Sequence, residues 1–155
     1  MTLFIALTVL LVLTVDQQAP PAAPGPGSPA TYKPGEELLA ALQKAVDRGG
    51  MTSGAISNTD QYRINLVRRV KPGAALAHAG NTELHYITEG AGTLVTGGTI
   101  AKAAGGTATI ENGETRRVKT GDVILIPAST PHWDQEVEGS ITYLELRFVA
   151  PAAKR

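Results

Sequence analysis

The chain contains three histidines, and two of them, His78 and His132, fall in separate patterns on either side of a hairpin-rich stretch. The first pattern runs from Gly73 through His78, Glu83 and His85 to Gly90, and the second from Gly121 through Pro127 to His132. Imidazole nitrogens and a carboxylate oxygen are ligands for a divalent transition metal, and the set suits Fe(II), Mn, Ni, Cu or Zn. Two histidines plus one carboxylate with open positions is also the composition of the non-haem iron facial triad. Residues two apart on a strand share a face, so Glu83 and His85 point the same way. His132 can join them on one ion only if the chain closes a barrel in between.

The elements that must do this positioning follow from the pattern of apolar and turn residues. Positions 3–15 form an apolar run broken only by threonines. That is the length of a signal-peptide core and shorter than the ~20 residues that span a bilayer. Residues 1–18 are therefore expected to be a signal peptide or a hydrophobic N-terminal segment, and the protein to be secreted or periplasmic. Membrane contact is expected only through that segment if it stays uncleaved. Residues 19–35 are rich in Ala, Pro, Gly and Ser and read as a linker, since they cannot bury enough surface to fold.

Residues 36–155 form the expected domain. It opens on an amphipathic helix over 36–48, in which Leu38, Leu39, Leu42 and Val46 recur at helical spacing until Gly49-Gly50 ends it. After Gly50 come short β-type runs broken by Gly, Asn and Pro, which predict an all-β sandwich or barrel with the helix packed outside. Strands are expected over 52–57, 62–70, 74–78, 83–89, 92–96, 107–111, 114–118, 123–126, 132–138 and 141–149. Asn112-Gly113 supplies the positive φ angles of a two-residue hairpin joining 108–111 to 114–117.

Composition bounds the function. At 155 residues the chain suits one domain, and 14 basic against 14 acidic residues leave no electrostatic footprint for nucleic acid. A small-molecule substrate or ligand is the expected partner. The absence of cysteine removes disulfides, thiolate ligands and a cysteine nucleophile together. No phosphate-cradling Gly-x-x-x-x-Gly-Lys stretch and no Gly-x-Ser-x-Gly elbow occurs.

The two patterns resemble the two signature motifs of the cupin superfamily, over roughly 72–136. Gly73, His78, Glu83 and Gly90 fit the first motif, with Leu76 where its first histidine is usual; Gly121, Pro127, Ser129 and His132 fit the second, with Glu136 in place of an Asn. The resemblance implies a cupin jelly-roll β-barrel holding a divalent metal through His78, Glu83 and His132. His85 would then stand in as a fourth ligand for the histidine missing at Leu76, or serve as an acid-base catalyst. Tyr86 and Trp133 are the aromatic candidates for the substrate pocket, with the core as their other destination.

On the second expected strand Arg63 and Asn65 share a face taken to be solvated, with an anionic substrate as their other destination, and on the last strand Glu145 and Arg147 share a face with Tyr143 and are expected to pair across a sheet. The functional expectation is a metal-dependent enzyme on a small oxygenated molecule, of dioxygenase, isomerase or lyase type. The alternative is a metal-free, non-catalytic module that binds a small ligand. The resemblance also allows a homodimer paired through barrel edges.

Overall fold

The structure, a computed structural model, describes residues 19–102 and 105–150. The expected signal segment, 1–18, lies outside the described residues. The first element is α1 (Gly35–Lys44), which starts after Pro34 with Glu36 and Glu37 in its first turn and Lys44 in its last, charges that suit the helix dipole. It is shorter than the pattern predicts: the backbone is already extended at Ala45, and Val46 is exposed. Leu42 is the buried anchor, and Gly54 lets the helix approach the sheet, since a Cβ there would lie 3.0 Å from that of Ala41. No helix among the described residues is long and apolar enough to cross a membrane.

Among the described residues eight strands follow: β1 (Met51–Asn58), β2 (Tyr62–Arg69), β3 (Thr82–Thr96), β4 (Thr99–Ala101), β5 (Thr109–Glu111), β6 (Glu114–Lys119), β7 (Val123–Ile126) and β8 (His132–Phe148). The main sheet has the order β1-β2-β8-β3-β6, with β7 also paired to β3, and every pairing is antiparallel. The all-β architecture with an outer helix is as the sequence predicts.

Two differences are instructive. The runs 83–89 and 92–96 are one strand, β3, and 132–138 and 141–149 are one strand, β8. Glycine bends β3 without ending it: Gly90 has φ +80, and the β3–β8 register shifts three times between Ile87 and Leu94. The first half of β3 consequently pairs with β7 and the second half with β6, so that one long strand carries two short neighbours along the same edge of the main sheet. The second difference is at Asn112-Gly113. Asn112 has φ 56, but β5 pairs with β4 and β6 with β3, so the expected hairpin partners are exchanged. Gly113 does not adopt positive φ; instead it packs where a Cβ would meet Val95 and Ile110 at 2.7 Å.

The expected strand at 74–78 is reduced to one bridge, Leu76 to His132, because Gly73 and Ala75 donate to different neighbours, Asp134 and Ala108. Val67, Ile87, Leu94, Val118, Ile141 and Tyr143 form the core cluster. Burial of each aliphatic side chain contributes roughly 1.5–3 kcal/mol.

A Cβ at Gly90 would collide with the Ser140 carbonyl oxygen in addition to straining a left-handed φ. Gly90→Ala is therefore expected to cost at least about 2 kcal/mol. Urea denaturation checks this, and a loss near zero would mean that the corner relaxes freely.

Candidate metal centre

Strand alternation sends Glu83, His85 and Ile87 of β3 to the barrel interior. Cross-strand register sets them opposite Arg147, Glu145 and Tyr143 of β8, and sets Glu145 opposite Asn65 of β2. The inner face thus grades from the apolar core at Ile87 and Tyr143 into a polar layer. His132 enters from the start of β8. The Leu76–His132 bridge holds the following loop against that strand, and this brings His78 alongside.

These side chains converge on the Glu83 carboxylate, which is 1% exposed. Its Oε1 lies 3.4 Å from His78 Nε2 and 3.8 Å from His132 Nε2. Tetrahedral ligands roughly 2.1 Å from an ion stand about 3.4 Å apart, so the spacing fits a shared ion. Two further observations favour it. His78 Nε2 is buried without a hydrogen-bond partner. His132 Nδ1 lies 3.1 Å from the Thr130 carbonyl oxygen, an acceptor only; Nδ1 therefore carries the proton and Nε2 keeps its lone pair for the interior. His78, Glu83 and His132 could hold a metal ion.

His85 lies on the other side of the carboxylate. Its Nε2 is 3.2 Å from Glu83 Oε2 and 4.0 Å from Glu145 Oε2, and its ring stacks on Tyr143 at 4.6 Å. It groups with Glu83 and Glu145, apart from the other two imidazoles. Arg147 completes this side: Nη2 donates to Glu145 Oε2 at 2.8 Å, and Nε stands 3.5 Å from Glu83 Oε2. Asn65 Nδ2 donates to the remaining Glu145 oxygen at 2.9 Å.

Burial alone would raise the Glu83 carboxyl, but the His85 hydrogen bond and the nearby charges of His132, Arg147 and His78 outweigh it and hold the carboxyl below its ordinary range. Burial lowers His78, and the Arg147 guanidinium adds to that more than Glu83 opposes it. Both groups therefore favour their ligating forms, carboxylate and neutral imidazole.

The sign for stability is the same for both. With a folded pKa below the unfolded one, His78 contributes stability that is present above 6.5 and lost as pH falls through its lowered value, and Glu83 contributes stability that is present above 4.5 and lost as pH falls through its own lowered value. Metal-free protein is expected to be less stable at about pH 5.5 than at about pH 7.5, and His78→Asn to flatten that difference. Denaturant titrations at the two pH values check this, and an unchanged slope in the variant would contradict it.

The structure brings together His78, Glu83, His85 and His132, but not the two aromatic candidates. Tyr86 is on the outer face of β3, 42% exposed, because its neighbour His85 points inward. Trp133 follows the inward His132, and its indole Nε1 donates to the Gly73 carbonyl at 2.8 Å. It braces the loop that carries His78. Asn65, Glu145 and Arg147, expected on solvated or merely paired faces, are in the site. Asn65 and Glu145 are buried at 9% and 5% exposure, since the polar face of these strands is the interior one.

The chain matches no protein-family model and no curated protein. Among solved structures it is similar to an RmlC-like cupin from Shewanella frigidimarina, with TM-score 0.55 and 13% identity over 80% of this chain and 95% of that one. A cupin superfamily protein from Desulfitobacterium hafniense gives TM-score 0.50 and 17% identity over 78% and 97%. Fe(II)-HppE with an alternative substrate gives TM-score 0.51 and 18% identity over 63% and 49%. With the topology above, these establish that the chain has the cupin fold.

Proposed function

We propose that this protein is a metal-dependent enzyme acting on a small oxygenated molecule within the cupin barrel, with His78, Glu83 and His132 as the metal ligands. The observation that carries the reading is the convergence of two imidazole nitrogens, one buried without a hydrogen-bond partner and the other oriented by a backbone carbonyl, on one oxygen of a buried carboxylate. A solved structure of the same fold contains Fe(II) together with a substrate, in keeping with such a use of the barrel. When bound, the ion would supply Lewis-acid polarisation of a substrate oxygen, or oxygen activation if it is iron.

The chain's own residues supply the rest. His85, set between the carboxylates of Glu83 and Glu145, is placed to hold or move a proton at Nε2. Stacking on Tyr143 fixes its ring, and Asn65 with Arg147 fixes Glu145 behind it. Dioxygenase, isomerase and lyase chemistries are all compatible with one acid-base group beside a divalent ion.

The test separates the two roles. His132→Ala is expected to lose metal while keeping the fold, and His85→Gln to keep metal while losing any chelator-sensitive turnover found in a screen of small hydroxy, keto and enol compounds. Tight ligand binding that is indifferent to both chelator and His132→Ala would favour the metal-free binding module instead.

A further inference from the structure

Arg147 has five N–H donors, yet among the described residues it donates a hydrogen bond only to Glu145, and its buried Nε, 3.5 Å from Glu83 Oε2, makes none. Beyond it lies a cavity of about 160 Å³, lined by Arg147, its cross-strand partner Arg63, and neutral polar groups including Asn58, Asn81 and Tyr62. That is well above the roughly 10–15 Å³ that holds one water, so there is room for a small organic molecule. The one acidic residue on its wall, Asp60, accepts a hydrogen bond from the Ala23 amide. Direct cross-strand partners share a face, so both arginines line the cavity from the same side of the β2–β8 pair, Arg147 half-buried and Arg63 exposed at the rim.

Charge balance points to the same ligand. With neutral imidazoles, Glu83 and Glu145 carry two negative charges against one positive charge on Arg147. A divalent ion on the proposed ligands turns this deficit into a net positive charge inside a barrel, which a bound anion would neutralise. From the unspent donors, the paired arginines and this balance, we infer that the substrate is a small carboxylate, its carboxyl held in the cavity by Arg147 and Arg63 and its other oxygens turned toward the Glu83 side. The inference rests on the metal reading for its charge balance, but not for the cavity or the arginines.

Malonate and its neutral diamide, malonamide, are suitable probes, titrated calorimetrically into zinc-loaded and chelator-stripped protein. Zinc-loaded wild type is expected to bind malonate and not malonamide, with at least a tenfold loss in Arg63→Gln, an exposed position that leaves the fold intact, and a larger loss in Arg147→Gln. Equal binding of the two probes, no malonate binding, or malonate binding unchanged in Arg63→Gln would overturn the inference. The two readings fail separately. Zinc uptake with malonate binding unaffected by Arg63→Gln sinks the carboxylate site alone. No zinc uptake, with arginine-dependent malonate binding retained, sinks the metal reading and supports the carboxylate site.

Discussion

Glu83→Ala should reduce metal affinity by at least about 100-fold, the scale reached by losing even a supporting partner of a ligand. Glu83 is the one group that all three histidines and Arg147 face, with imidazole nitrogens at 3.2, 3.4 and 3.8 Å from its two oxygens. Truncation removes the charge that attracts a cation and leaves Arg147 as a repelling neighbour. The fold should survive, because Arg147 keeps its 2.8 Å bond to Glu145. Glu83→Gln keeps the shape and one ligating oxygen, and should fall between wild type and Ala. Competition against a chromophoric chelator measures all three proteins, and equal affinities for wild type and Glu83→Ala would remove Glu83 from the ligand set.

Asp134→Ala should destabilise the domain by about 3 kcal/mol, the lower end of the cost of breaking a buried ion pair. Arg69 Nε lies 2.6 Å from Asp134 Oδ2 and also donates to the Tyr143 hydroxyl at 3.2 Å, and the two charged side chains are only 13% and 15% exposed. Burial would lower the Arg69 pKa, but Tyr143 and Asp134 together raise it. The Tyr143 hydroxyl is itself pushed far up, by burial first and by Asp134 next. Removing Asp134 leaves Arg69 charged against a phenol that does not ionise. The double variant Arg69→Met, Asp134→Leu should regain most of the loss, because neither charge is then left buried and unpaired. Urea midpoints at constant slope check both, and a single-variant loss below about 1 kcal/mol would show that water already reaches the pair.

Parts of the site were legible because a strand repeats every two residues. Glu83 and His85 had to share a face, and the two histidine patterns had to meet if a barrel closed. The same parity excludes Tyr86 and Trp133 from the interior, since each directly follows an inward histidine. Asn65, Glu145 and Arg147 were not legible. Their alternation was visible, with Arg63, Asn65 and Val67 on one strand and Tyr143, Glu145 and Arg147 on another. Which face lay inside depended on a pairing between positions 65, 85 and 145 that no local pattern specifies. The usual assumption that a polar face meets water reverses where a barrel builds a polar interior. The long strand β3 departs from its local pattern for a related reason: Gly90 carries a turn signal, but ladder bonds on both sides convert it from a break into a bend.

X-ray absorption on zinc-reconstituted protein, purified without a histidine tag, tests the metal centre most directly. The account predicts about one ion per chain with two imidazoles and carboxylate oxygen at roughly 2.0–2.2 Å. A shell of oxygens alone, or no retained ion after dialysis, would contradict it.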